Sequence, residues 1–192
     1  SVPVCSTANC TISYANSGLL LNVPNMLAAK PTMATLSAVR KADNAQQCVP
    51  AFANVTRSIR FTSAYSNPNS GSQPVVINGS AVGSTPVSLN LNFDVTGTAP
   101  LTVRYDDAGE MKLSARYLGS SGTNDAGLEL DNVDTDDLFV SKPYGLCLQT
   151  ASSLAANTNC NDASCALFPG GIRAGDNFPL TIRAVGWEAD GE

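Results

Sequence analysis

The chain has no histidine among its 192 residues. That absence removes the Ser/His/Asp and Cys/His nucleophile pairs and every metal site built on imidazole. Charge is scarce as well: 14% of residues are charged, sixteen acidic against eleven basic. A net charge of −5 with no cluster of Lys or Arg excludes a surface that holds nucleic acid through its phosphates. Long apolar runs are missing too. "GLLLNV" is among the longest, so no membrane insertion is expected. The opening "SVPVCSTANC" has neither the basic start nor the apolar middle of a signal peptide, and the chain reads as a mature segment or an excised piece.

What is abundant is Asn, Ser, Thr and Gly, a balance met more often in exported β-rich proteins than in cytosolic enzymes. Six cysteines, Cys5, Cys10, Cys48, Cys147, Cys160 and Cys165, make an even count, which points to disulfides formed in an oxidising compartment. Two spacings, "CSTANC" and "CNDASC", could in principle supply four thiolates to zinc. Neither contains the Gly turn of a zinc knuckle. Sequence does not fix the pairing; the expectation is local pairs, Cys5 with Cys10 and Cys160 with Cys165, leaving Cys48 and Cys147 to join each other or stay free.

The length admits one large or two small domains. In "VSLNLNFDVT", Val87, Leu89, Leu91, Phe93 and Val95 alternate with Ser88, Asn90, Asn92, Asp94 and Thr96, the pattern of a half-buried strand. "SIRFTSAY" repeats it with Ile59, Phe61 and Tyr65, "MATLSAVR" with Ala34, Leu36 and Ala38, and "PLTIRAV" with Leu180, Ile182 and Ala184. "SNPNSGSQP", "NGSAVGSTP" and "GSSGTNDAG" read as the loops between strands. Only "NMLAAKPTM", broken by Pro31, and "QTASSLAAN" could be helical. Short strands about ten residues apart, joined by Gly/Pro/Asn loops, predict an all-β antiparallel sandwich.

An internal similarity sets the organisation. "GLLLNV" at 18–23 resembles "GLCLQT" at 145–150, and "ATLSAVRKAD" from residue 34 resembles "LTIRAVGWEAD" from residue 180. The copies are collinear, the second carrying about nineteen extra residues that hold Cys160 and Cys165. This predicts an N-terminal segment plus one complete sandwich over residues 1–142, and the opening strands of a second, incomplete one over 143–192. The second segment is expected to dock on the first as extra strands, with strand addition or a swapped dimer as the alternative.

In "VRYDDAGEMKLSARY" the aspartates Asp106 and Asp107 join two alternating runs, and the reading is a hairpin turn with both carboxylates as turn formers. The same run resembles the E to F corner of immunoglobulin-like domains, with Met111 where many of them carry the corner tyrosine. A wider resemblance covers most of the chain from Cys48 onward. The "CVPAF" start, the "YDDAG" turn and the "AGDNFPLT" strand resemble the C-terminal region of MshQ-like proteins, assigned to biogenesis of the mannose-sensitive haemagglutinin (MSHA) type IV pilus. The resemblance implies immunoglobulin-like repeats and an exported bacterial module at the cell surface. Its implied partners are pilus or adhesin subunits and further domains of the same long chain. It carries no ligand-binding residue.

Enzyme chemistry finds no support. Aspartates in solvated turns lack the surroundings that raise a carboxyl pKa for acid/base work. The glycines of "FPGGIRAGDN" lack the strand and helix of a phosphate-binding loop. The richest constellation is "ELDNVDTDD", with Glu129, Asp131, Asp134, Asp136 and Asp137. Calcium takes several oxygen ligands, but the run lacks the Gly and distal Glu of an EF-hand, so a solvated acidic loop is expected and calcium is the alternative. No other cofactor is implied. The functional expectation is a non-enzymatic structural or adhesive module. The alternative is a glycan- or calcium-dependent adhesin domain, for which Trp187, Tyr65 and Tyr144 are the available aromatic faces.

Overall fold

A computed structural model describes residues 17–42, 48–132, 137–150, 177 and 180–188. The chain runs through β1 (Ser17–Asn22), β2 (Met26–Leu27), β3 (Thr32–Lys41), β4 (Cys48–Pro50) and β5 (Val55–Asn67). Next come β6 (Val75–Ile77), β7 (Ser80–Val82), β8 (Val87–Phe93), β9 (Thr98–Tyr105) and β10 (Gly109–Leu118). A 3-10 turn at Ser121–Thr123 leads to β11 (Glu129–Asp131) and β12 (Asp137–Lys142), followed by β13 (Gly145–Thr150) and β14 (Leu180–Val185).

Alternation explains how these strands layer. On β3, Ala34, Leu36 and Ala38 are buried while their neighbours point outward, and on β5 the buried row is Ile59, Phe61 and Ser63. Such strands bury one face only, so they need a second sheet. The first sheet has the order β1-β3-β9-β6-β7, with β4 also on β3; the second has β2-β12-β10-β5-β8, with β11 also on β10. Strand pairs are antiparallel apart from β2 beside β12. β1, β3, β9 and β6 thus take the A-B-E-D places of an immunoglobulin-like sandwich, and β5, β10 and β12 take C-F-G. One core cluster lies between them, with Leu19, Leu36, Leu101 and Val103 from one sheet and Phe61, Leu113 and Phe139 from the other. Each such side chain contributes about 1.5–3 kcal/mol through its burial. β13 and β14 form a separate two-stranded sheet.

The all-β antiparallel architecture agrees with the pattern of alternation, but four local expectations are corrected. "DDAG" is not a hairpin turn: β9 belongs to the first sheet and β10 to the second, so residues 106–108 form a corner between the sheets, as the resemblance to the E to F corner implied. "NMLAAKPTM" holds β2 and a turn at residues 28–29, with Ala29 at φ 68°. "NGSAVGSTP" contains strand β7, because Asn78 and Gly79 both adopt positive φ and close a tight hairpin with β6. The strand of "VSLNLNFDVT" ends at Phe93. Asp94 Oδ1 accepts from the amides of Thr96 (2.8 Å) and Thr98 (3.0 Å), turning the chain and leaving Val95 66% exposed. The helix candidate "QTASSLAAN" lies, beyond Thr150, outside the described residues.

Candidate functional site

The carboxylates singled out in the sequence are already engaged. Asp106 pairs with Arg104 Nε at 2.8 Å, and Asp107 Oδ1 accepts from the Ala108 amide at 2.7 Å. Both are exposed turn formers. In the acidic run, β11 lies beside β10 and brings Glu129 and Asp131 to one guanidinium, with Arg116 Nη2 2.7 Å from Glu129 Oε2 and Nε 3.3 Å from Asp131 Oδ1. The Glu129 hydrogen bond first, and then the charge of Asp131, raise the Arg116 pKa above its ordinary value. Asp137 opens β12, while Asp134 and Asp136 lie outside the described residues. No three metal-ligating side chains gather among the described residues.

Cys48 and Cys147 are exposed free thiols, so the pairing of these two with each other is not formed. Cys5, Cys10, Cys160 and Cys165 lie outside the described residues. Of the aromatic candidates, Tyr65 is spent locally: its hydroxyl donates to the Gln73 carbonyl at 2.8 Å, and its ring covers Gly71. Tyr144 is half exposed. Trp187 lies beyond the end of β14 instead of on a strand, with Lys30 Nζ 5.3 Å from its ring centroid.

The internal repeat is realised strand for strand. β1 pairs with β3 through Gly18↔Val39, Leu19↔Ala38, Leu20↔Ser37 and Leu21↔Leu36. β13 pairs with β14 through Gly145↔Val185, Leu146↔Ala184, Cys147↔Arg183 and Leu148↔Ile182. These are the same positions of the two copies in the same register. Their surroundings differ. Leu19, Leu21, Leu36 and Ala38 are buried under the second sheet, whereas Leu146, Leu148 and Ile182 are 67%, 63% and 58% exposed. The expected half-buried row on "PLTIRAV" is therefore a strand with every residue exposed.

Among the described residues, the segment that follows β14 meets the sandwich at the turn after β2. Ala28 donates its amide to the Lys142 carbonyl at 2.7 Å and accepts from the Trp187 amide at 2.7 Å. Ala29 donates to the Tyr105 carbonyl at 2.8 Å. A Cβ on Gly186 would lie 3.1 Å from Ala29 Cβ, so glycine permits this approach. Among the described residues, β13 and β14 therefore sit beside a joint and pair with neither six-stranded sheet.

Sequence reasoning missed the polar cluster in the loop after β10. Asp125 Oδ2 accepts from Tyr117 Oη at 2.6 Å and from Arg57 Nε at 3.2 Å, while Oδ1 accepts from the Ser120 amide at 3.0 Å and from the Thr123 hydroxyl. Desolvation, the largest single influence, pushes the Asp125 pKa up, but the bonds from Thr123, Tyr117 and Ser120 and the charge of Arg57 together hold it at about 2. Arg57 also lies over the Phe52 ring, which packs edge-on against Phe93 and Tyr117. The cluster fastens one end of the sandwich.

Family comparison bears on the whole arrangement. Residues 3–133 match a family model described as a domain of unknown function (DUF6701), first Ig-like domain, and residues 142–192 match its second domain. The chain belongs to the DUF6701 family. No curated protein and no solved structure matches it. The first DUF6701 match stops before β12, although β12 contributes the fully buried Phe139 to the same sandwich. β13, β14 and Trp187 fall within the second DUF6701 match.

Proposed function

We propose that this DUF6701 chain is a non-enzymatic structural or adhesive module of an exported, pilus-associated bacterial protein. The observation that carries the reading is the repeat: β13–β14 reproduces β1–β3 in the same register, tied to the first domain by the backbone hydrogen bond from the Trp187 amide to the Ala28 carbonyl. Tandem immunoglobulin-like units linked by short joints suit a protein that spans distance and presents surfaces. The carboxylates at Asp106, Asp107, Glu129 and Asp131 are solvated or bonded to arginine, an arrangement for shape more than for proton transfer. Low charge, an even cysteine count and the resemblance to MshQ-like proteins support export and the MSHA-type pilus setting. Among the described residues no helix is long and apolar enough to cross a membrane.

The test is an in-frame deletion of residues 17–188 from the gene in its native host. Pili are counted by electron microscopy and cell attachment is scored. Loss of piliation or attachment, restored by the intact gene, is expected; unchanged piliation together with unchanged attachment would overturn the proposal.

A further inference from the structure

The outer face of the second sheet carries a cleft that the structural role does not use. Strands β5 and β10 place Arg60 directly opposite Arg116 and Thr62 directly opposite Ser114. Two cations at that spacing repel unless anions answer them. Glu129 and Asp131 answer Arg116. The Arg60 side chain makes no hydrogen bond or ion pair with any described residue.

An open cleft of about 410 Å³ covers these groups; its polar lining is Arg60, Thr62, Ser114, Arg116, Asp131 and Asn132. Its size suits a small ligand. Asn132 is occupied with β10, its Oδ1 accepting from the Ala115 amide at 2.6 Å and its Nδ2 donating to the Leu113 carbonyl at 3.2 Å. That clamp fixes the wall of the cleft where β12 stops pairing with β10 and β11 begins. Left for a ligand are the Arg60 guanidinium, the Thr62 and Ser114 hydroxyls and Asp131 Oδ2, the oxygen not paired with Arg116. No aromatic ring lines the cleft, so a neutral sugar would find no stacking face.

We propose that this cleft binds an acidic saccharide, with Arg60 gripping a sugar carboxylate and Thr62, Ser114 and Asp131 taking its hydroxyls. A planar carboxylate fits the guanidinium fork through two parallel hydrogen bonds. The chain's net charge of −5 disfavours a polyanion held by charge alone, so recognition rests on this one fork and its hydroxyl neighbours. The proposal goes beyond the structural role, which stands or falls on piliation and attachment instead.

The test is an NMR titration of the whole ¹⁵N-labelled chain with oligogalacturonate, its neutral methyl ester and a sulfated dextran oligomer. Saturable shifts confined to β5, β10 and β11 are expected with oligogalacturonate, absent with the methyl ester and weaker with the sulfated oligomer. Arg60→Ala should weaken binding at least about tenfold, and Arg60→Lys should recover part of it. The remaining peaks of each variant report whether the fold is intact. No saturable shift, equal response to the methyl ester, or equal affinity in Arg60→Ala would each overturn the assignment. A sulfated oligomer that binds as tightly would show a general anion patch, and the saccharide proposal would be dropped.

Discussion

Replacing Asp125 with Asn keeps the size of the side chain while removing its charge and turning one acceptor into a donor. Tyr117, Thr123, Arg57 and the Ser120 amide all donate to this carboxylate, so at least one donor would then face an NH₂ group. The magnitude follows from the titration. A carboxyl held at about 2 in the folded chain against 3.8 ordinarily corresponds to about 2 kcal/mol, allowing some loss to solvent screening. Because the folded pKa is the lower one, this stability is fully present above about pH 4 and is lost as pH falls through about 2. Asp125→Asn should therefore lower the melting temperature at pH 7 by roughly 5–10 °C, and its gap from the parent should narrow between pH 4 and pH 2. Thermal denaturation of both proteins across this range isolates Asp125, since the other carboxylates titrate alike in each. A gap that is absent at pH 7, or as wide at pH 2 as at pH 7, would refute the reasoning.

Gly119→Ala should destabilise the same loop by about 2 kcal/mol or more, because the new Cβ would lie 1.9 Å from the Asp125 carbonyl oxygen; a melting temperature within a degree of the parent would contradict this. Cys48 and Cys147 should both alkylate without reductant, as intact mass will show, and a chain in which neither reacts would mean that they are paired. Gly186→Val should crowd Ala29 and open the joint, lowering hydrogen-exchange protection of the Trp187 amide while the sandwich keeps its own protection; unchanged protection at Trp187 would speak against the joint. Millimolar calcium should leave the melting temperature unchanged, since Arg116 already answers Glu129 and Asp131. A rise of several degrees, lost in Glu129→Gln with Asp131→Asn, would instead favour a cation site.

The rows of buried side chains were legible because a one-sided strand writes its period into the sequence: Ala34, Leu36 and Ala38 are buried as their alternation predicts. The corner at Asp106 and Asp107 was legible only through its resemblance to the E to F corner of immunoglobulin-like domains; the alternation on its two sides read equally well as a hairpin. A hairpin and a crossing between sheets share the same local residues, and only the pairing of β9 with β3 and of β10 with β5 separates them. Val95 keeps the parity of Phe93, yet the side chain of Asp94 ends the strand between them. The Asn-Gly dipeptide at residues 78–79 was a usable hairpin signal that the surrounding Gly and Ser residues obscured. Asp125 looked like one more loop residue because its partner Arg57 is 68 positions away. Likewise, the opposition of Arg60 and Arg116 exists only once the register of β5 on β10 is set. For β14 the alternation of Leu180, Ile182 and Ala184 was visible, but alternation marks a face without saying what covers it.

The most direct test of the tandem-repeat account is the pattern of cross-strand NOEs in the labelled chain. The account requires contacts joining Leu146 to Ala184 and Leu148 to Ile182, in parallel with those joining Leu19 to Ala38 and Leu21 to Leu36. A register slipped by one residue, linking Leu148 to Thr181 or Arg183 as direct partners, or the absence of any contact between residues 145–150 and 180–185, would contradict it.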